Sequence, residues 1–203
     1  MARKTGITIT KDEILDAALL EFSRNGYDGT KVSSIAKASG ITPAAIYIHF
    51  TSKEDLFHQL LTREFDKASI TPPATALSLR DLLIHMGNQL VQIFKNHPAF
   101  TKIIFIEGIK NPAIANPLYK QILRQATILE EELLRHFQLE PNERNTSLIN
   151  YASRFFLGAI GWAEMTLDVF DGREQEPVDD ALMVELYTDF FLNGLQGLKV
   201  NEK

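Results

Sequence analysis

Apolar residues recur at intervals of three and four positions along almost the whole chain, whereas strictly alternating stretches rich in Val, Ile and Thr are nearly absent. The first spacing places apolar side chains along one side of an α-helix, and the second is typical of a half-buried strand. We therefore expect an all-α protein. With 203 residues, the chain is long enough to bury a substantial core in one or two domains.

Capping residues and glycines predict four helices in the first third of the chain. Ser, Thr or Asp before an apolar periodic run marks a helix start, and Gly after one marks an end, because Gly accepts the left-handed backbone found there. The expected starts are Thr10 with Glu13, Thr30, Thr42 with Pro43, and Ser52 with Asp55; the first three expected ends are Asn25-Gly26, Ser39-Gly40 and Phe50.

A connector containing two prolines follows at 69–78, and no helix is expected to cross it undisturbed. We place the domain boundary there. Five further helices are expected beyond it, at 79–96, 98–109, 116–138, 143–170 and 178–198, with breaks at Asn111-Pro112, Glu140-Pro141 and Asp171-Gly172.

The negative charge is unevenly distributed. Residues 1–68 carry nine Lys or Arg and nine Asp or Glu, so the net charge of -5 comes from the twelve basic and seventeen acidic residues that follow. Attraction to phosphate depends on local charge, so a neutral first segment can still present a basic face to nucleic acid. The chain has no cysteine, which excludes disulfides, thiolate metal sites and cysteine nucleophiles.

The second and third expected helices, joined by a short Gly turn, fit a helix-turn-helix, whose second helix enters the DNA major groove. Ile46 and Phe50 can pack inward, and Lys53 can bind a phosphate. A three-helix unit with a Gly turn also occurs in helical proteins that do not bind DNA, so the spacing alone leaves both interpretations open. The residues free to point at DNA are Thr42, Pro43, Ala45, Tyr47 and His49.

The stretch FSRNGYDGTKVSSIAKASGITPAAIYIHFTSKEDLF, at 22–57, resembles the N-terminal DNA-binding domain of the TetR family of transcriptional regulators. The similarity extends over 14–61, about the first third of the chain. It implies that Thr30, Tyr47, His49 and Lys53 contact phosphates, and that Thr42, Pro43, Ala44 and Ala45 face base edges. Lys31 is assigned to the same DNA-binding set. The resemblance implies a helix-turn-helix domain at 1–52, a connecting helix at 53–68, and a helical ligand-binding and dimerisation domain at 69–203.

Two positions depart from the family pattern. Pro43-Ala44 stand where family members often have a Lys-Gly pair, and Ile48 replaces a residue that is commonly polar or aromatic. Base reading is therefore expected to rely on apolar contact, for instance with thymine methyl groups, and on groove shape.

Family members are similar in forming dimers through their last two helices and in enclosing an inducer between their middle helices. In this chain the segments at 143–170 and 178–198 each carry two adjacent apolar stripes, as expected of helices buried on two sides; the core of a large monomeric bundle is the alternative. The expected dimer residues are Phe155, Gly158, Trp162, Leu186, Phe190 and Gly194. The candidate contacts of an apolar or aromatic effector are His85, Met86, Gln89, Phe94, Phe105, Tyr119 and Trp162, although such a stripe also suits an ordinary core.

Other functions find little support in the sequence. A di-iron bundle enzyme needs paired Glu-x-x-His motifs, but the nearest pair, Glu132 and His136, is four residues apart and alone. A DNA-bending protein usually needs a broad basic surface, whereas this chain is acidic after residue 68. We therefore expect a cytoplasmic DNA-binding regulator: a homodimer on an inverted-repeat operator, released by a ligand, with no catalytic activity, cofactor, metal or membrane span. A regulator or architectural protein without a small-molecule inducer is the alternative.

Overall fold

The structure, a computed structural model, describes residues 9–71, 73–74 and 77–197. All regular elements within these ranges are helices, which confirms the all-α prediction. They are α1 Lys11–Gly29, α2 Val32–Ser39, α3 Pro43–His49, α4 Lys53–Lys67, α5 Leu79–Asn96, α6 Pro98–Lys110, α7 Pro112–His136, α8 Glu143–Asp168, α9 Gly172–Gln175 and α10 Asp180–Gly197. In the described part of the chain, no helix is both long enough and apolar enough to cross a bilayer.

Local side-chain contacts explain where the first helices begin and end. The Thr10 hydroxyl accepts a hydrogen bond from the Glu13 N–H, and the Glu13 carboxylate accepts one from the Thr10 N–H, which completes a capping box. Ser52 caps α4 in the same way by accepting from the Asp55 N–H at 3.0 Å. Gly26, with φ of 69°, interrupts α1, and Gly40, with φ of 71°, ends α2.

Some expected boundaries are wrong. The helix expected at 116–138 begins at Pro112, because proline at the first helical position loses no hydrogen bond there. That helix also continues through Pro117. A short helix, α9, lies within the expected break after Asp171. The expected end of the last helix, residue 198, lies outside the described residues.

The described chain forms two compact units. The first comprises residues up to Ala68 together with Ala99–Leu118, and the second comprises Ser69–Pro98 and the residues from Tyr119 onwards. The boundary expected in the connector does not anticipate that Ala99–Leu118 pack with the first unit. The physical reason is apolar burial: three large side chains of α6 lie in the core of the first unit, namely Phe100, Ile103 and Ile104.

The core of the second unit forms between α5, α7, α8 and α10. Phe156 of α8 and Phe191 of α10 pack with ring centroids 5.2 Å apart. Gly87 permits close approach of α5 and α10, since a Cβ at this position would lie 2.7 Å from a methyl carbon of Val184. Each of these helices therefore has one buried side; the opposite sides of α8 and α10 are described below.

Candidate nucleic-acid interface

The third helix is held by few contacts, which leaves most of its surface exposed. The Thr42 hydroxyl accepts from the Ala45 N–H at 3.3 Å, and Pro43 occupies the first helical position. Ile46 inside the helix and Phe50 just after it are buried in the core of the first unit with Ile35 of α2. A two-turn helix anchored on one narrow side is the geometry that a recognition helix requires.

The outward side of α3 carries large apolar groups. Tyr47 is 53% exposed and Ile48 is 80% exposed, although both are side chains that a protein usually shields from water. Pro43 and Ala44, one turn earlier, are also exposed, while Ala45 is half-buried. This surface offers the Tyr47 hydroxyl and several apolar contacts, as expected if base reading depends mainly on shape and on thymine methyl groups.

Lys53 lies at the first position of α4, next to this surface. Its ammonium lies 4.4 Å from the centroid of the Tyr27 ring, a cation–π arrangement. Within the described part of the chain, no carboxylate forms a salt bridge with this ammonium, so its charge is available to a phosphate. His49 is half-buried at the end of α3, and Lys31 is exposed immediately before α2.

Thr30 is not placed as expected. Its side chain is 1% exposed, and its hydroxyl donates to the backbone oxygens of Gly26, at 2.7 Å, and Glu21, at 3.1 Å. The predicted cap of α2 is wrong, because Lys31 occupies the position before that helix. The phosphate contact of Thr30 stays a prediction, although the Thr30 hydroxyl is buried and bonded to the end of α1.

We expect Thr30→Val to lower the free energy of unfolding by about 1–2 kcal/mol, because it removes the hydrogen bonds that the buried hydroxyl donates to the Gly26 and Glu21 oxygens. The salt dependence of DNA binding should not change. Thr62→Val is the matched control, since the Thr62 hydroxyl makes one exposed bond to the His58 oxygen. Urea unfolding of the three proteins measures the difference; a stable Thr30→Val protein with a shallower salt dependence would confirm the phosphate role.

The residues expected to contact an effector occupy unlike environments. Met86 is buried in the core of the second unit, whereas Tyr119 and Trp162 are exposed. Phe94 and Phe105 are both half-buried but belong to different units. Within the second unit, the predicted residues therefore do not share one enclosed environment.

His85 and Gln89 have a structural partner in the connector. The Gln89 amide oxygen accepts from the Thr71 N–H at 2.6 Å, and its amide nitrogen donates to the Thr71 oxygen at 2.9 Å. The His85 Nε2 lies 3.0 Å from the same oxygen. Their polar groups bind the connector backbone at Thr71 and hold it against α5; the prediction that they orient a ligand stays a prediction.

An open groove of about 500 Å³ lies in the second unit, between the end of the connector, α5 and α7. None of the seven predicted effector contacts lines it. Its apolar floor includes Leu82 and Ile128, and Arg135 at its rim pairs with Glu132. The sequence signal for it was weak, because the lining residues come from three separate segments.

The predicted dimer residues all lie on one exposed apolar surface. Phe155, Trp162 and Phe190 are 69%, 61% and 70% exposed. Gly158 and Gly194 are exposed, with no atom within 4 Å of a Cβ built on either one. Tyr151 and Leu182, not in the predicted set, extend the same helical spacing. We call this surface the α8–α10 face: Tyr151, Phe155, Gly158 and Trp162 of α8 with Leu182, Leu186, Phe190 and Gly194 of α10.

Comparisons with known proteins agree with the geometry. Residues 14–60 match the family described as "Bacterial regulatory proteins, tetR family". The chain is 41% identical over 150 residues to the HTH-type transcriptional regulator AcrR of Shigella flexneri, covering 67% of this chain and 68% of that protein. It is 45% identical over 56 residues to the negative transcriptional regulator IcaR of the biofilm operon icaADBC in Staphylococcus aureus strain Newman, covering 28% of this chain and 30% of that one.

Solved structures of other transcriptional regulators share the fold. The transcriptional regulator FadR from Bacillus subtilis, solved in complex with stearoyl-CoA, superposes with a TM-score of 0.66 at 17% identity, covering 91% of this chain and 99% of that chain. At that identity the superposition shows the fold alone. Together with the match to AcrR over two thirds of each protein, the helix-turn-helix identifies this chain as a member of the TetR family, a DNA-binding transcriptional regulator and not an enzyme.

Proposed function

We propose that the protein is a homodimeric repressor that binds an inverted-repeat operator and is released by a small apolar or aromatic effector. The observation that carries the proposal is the exposed outward side of α3, followed at the start of α4 by the Lys53 ammonium, which forms no salt bridge with a carboxylate of the described residues. IcaR, similar in the DNA-binding segment, is named a negative regulator, which supports repression. The domain at 1–52 would bind DNA, and the helix at 53–68 would connect the two domains. The domain at 69–203 would bind the effector and the second copy of the chain. The protein would act in the cytoplasm, where bacterial DNA lies.

The α8–α10 face supports the proposal of a dimer. Apolar surface on this scale is costly in water and commonly marks a protein–protein interface. A second copy of the chain fits it, because two paired helices from each copy would form a four-helix bundle and the exposed glycines allow close approach. A dimer with twofold symmetry would carry two α3 helices, one for each half of an inverted repeat.

Two substitutions on the first unit should separate affinity from sequence preference. Lys53→Ala removes one phosphate contact per copy, so affinity should fall alike for all duplexes, and the slope of log affinity against log salt should become shallower by about 1.8 per dimer. Ile48→Asn replaces an apolar contact by a hydrogen-bonding group, so the preferred sequence should change while the salt slope stays constant.

Both variants are measured by titrating fluorescent duplexes at several salt concentrations, with Thr62→Val as the control. If Lys53→Ala changes the preferred sequence and Ile48→Asn only the salt slope, the base and phosphate roles are assigned the wrong way round. If neither changes binding, α3 is not the DNA-binding element.

The proposed effector is apolar or aromatic. The groove in the second unit includes the apolar side chains of Leu82 and Ile128, and FadR, which shares the fold, was solved in complex with stearoyl-CoA. Thermal shift with fatty acids, acyl-CoA compounds and aromatic compounds tests this part of the proposal. A compound that raises the melting temperature should also lower DNA affinity; if no compound does either, the protein is a regulator without a small-molecule inducer.

A further inference from the structure

Glu107 is a buried carboxylate that joins α6 to the end of α1. Its side chain is almost fully buried, and its Oε1 accepts a hydrogen bond from the Tyr27 N–H at 3.1 Å. A Cβ at Gly26 would lie 2.8 Å from the same oxygen and would displace the carboxylate, and the positive φ of Gly26 favours glycine there as well. The Lys110 ammonium, 3.4 Å from Oε1, supplies the counter-charge. Eighty residues separate Glu107 from Tyr27 in sequence, and both belong to the first unit.

Tyr27, which binds Glu107 through its backbone N–H, contacts Lys53 through its ring. Its ring packs against Phe22 and Phe57, with centroids 5.8 and 4.8 Å away, and these two aromatic rings hold it in one orientation. The ammonium of Lys53 lies over this ring. Burial raises the pKa of Tyr27, as do the nearby carboxylates of Glu54 and Asp28, so the ring is neutral at physiological pH.

We propose that Glu107 is a positioning residue for DNA binding: its hydrogen bond fixes the Gly26-Tyr27 turn, and the Tyr27 ring then holds the Lys53 ammonium where it meets a phosphate. This inference rests on the proposed phosphate contact of Lys53. The hydrogen bond acts on the backbone of Tyr27, so losing it lets the ring shift relative to α4 without unfolding the aromatic cluster. Lys53 would keep its charge but lose its fixed position.

A double-mutant cycle on the full-length protein tests the proposal with mixed-sequence duplex DNA as the probe, because a phosphate contact acts on every sequence. Glu107→Ala should weaken binding about fivefold, the size expected when two cation–π contacts per dimer are lost. In the Lys53→Ala background the same change should have no further effect. Glu107→Gln, which keeps the acceptor oxygen, should bind within about twofold of the natural protein.

A purely structural role for Glu107 gives a different result. In that case Glu107→Ala lowers affinity equally with and without Lys53, and Glu107→Gln does not restore binding; this would overturn the proposal. If Glu107→Ala does not fold, Tyr27→Leu breaks the second contact and must show the same dependence on Lys53. Lys110→Ala, which spares the Tyr27 hydrogen bond, is the control.

The experiment distinguishes failure of the proposed phosphate contact of Lys53 from failure of the positioning role of Glu107. If the natural protein does not bind the duplex, or Lys53→Ala binds as tightly as the natural protein, the phosphate contact fails and the positioning role with it. If Lys53→Ala weakens binding but Glu107→Ala and Tyr27→Leu are additive with it, the role of Glu107 alone is overturned.

Discussion

Phe155→Asp should convert the protein to a monomer and abolish tight binding to an inverted repeat. Phe155 lies near the middle of the α8–α10 face and is 69% exposed in the single chain. In the proposed dimer both copies of the new carboxylate would be buried without a partner, which costs several kcal/mol. Since each 1.4 kcal/mol is a tenfold change in an equilibrium constant, dimer affinity should fall by at least about 100-fold.

Light scattering and fluorescence measure the loss of the dimer independently. The chain has a single tryptophan, Trp162, on the same face, so its emission should move to longer wavelength when the dimer separates. Ile109→Asp is the matched control, because it also replaces an exposed apolar residue by an acid but lies on α6. If Phe155→Asp stays dimeric, a different surface forms the dimer, and Gly158→Glu and Phe190→Asp should then have no effect either.

Arg173→Ala should lower the free energy of unfolding by about 3–5 kcal/mol, the cost of removing one partner from buried ion pairs. The Arg173 guanidinium, on α9, donates to three carboxylates, those of Glu164 and Asp168 at 2.7 Å and that of Asp180 at 2.8 Å. Glu164 is completely buried and has no other cation within salt-bridge distance in the described part of the chain. Removing the guanidinium would leave the buried carboxylate of Glu164 close to those of Asp168 and Asp180 without the cation that pairs with all three.

The loss of unfolding free energy in Arg173→Ala should depend on pH. Burial raises the pKa of Glu164, while Arg173 lowers it by its charge and its hydrogen bond, so removing Arg173 raises that pKa further. A carboxyl whose pKa is higher in the folded state than in the unfolded state contributes stability at low pH and loses it as pH rises. Arg173→Ala should therefore be destabilised more at about pH 7.5 than at about pH 5.

Arg80→Ala is the control for this experiment. Arg80 pairs at 3.1 Å with Asp189, and both side chains are about half exposed, so its loss should cost less than about 1 kcal/mol at either pH. Urea unfolding of the three proteins at both pH values is the measurement. Equal losses for Arg173→Ala and Arg80→Ala, or a loss that does not vary with pH, would contradict the proposed role of the buried cluster.

Local chemistry made much of the fold predictable from the sequence. The caps at Thr10, Thr42 and Ser52 and the glycine end at Gly40 depend on neighbours three or four residues away, and they stand where expected; the end expected at Gly26 is a break within α1, which continues to Gly29. The two apolar stripes predicted for each of α8 and α10 are also present, but they lie in different environments. Phe156 and Phe191 of one stripe are buried, whereas Phe155 and Phe190 of the other are exposed.

Contacts between distant segments were not predictable. The Thr30 hydroxyl turns back to backbone oxygens near the point where Gly26 interrupts α1, which residue type alone does not reveal. Nothing at Glu107 indicates that its partner is the Tyr27 N–H. His85 and Gln89 are polar residues on a mainly apolar helix; such residues suit a ligand as well as they suit the connector backbone that they bind at Thr71.

Selection of bound duplexes from a random-sequence library by the purified protein tests the central claim most directly, with Tyr47→Ala/Lys53→Ala as the control. The proposed dimer predicts an enriched inverted repeat whose half-site centres lie about 10 base pairs, or one helical turn, apart, and its loss with the control variant. Enrichment of a single unrepeated site, or no enrichment over the control, would contradict the account of a dimer that reads DNA through α3.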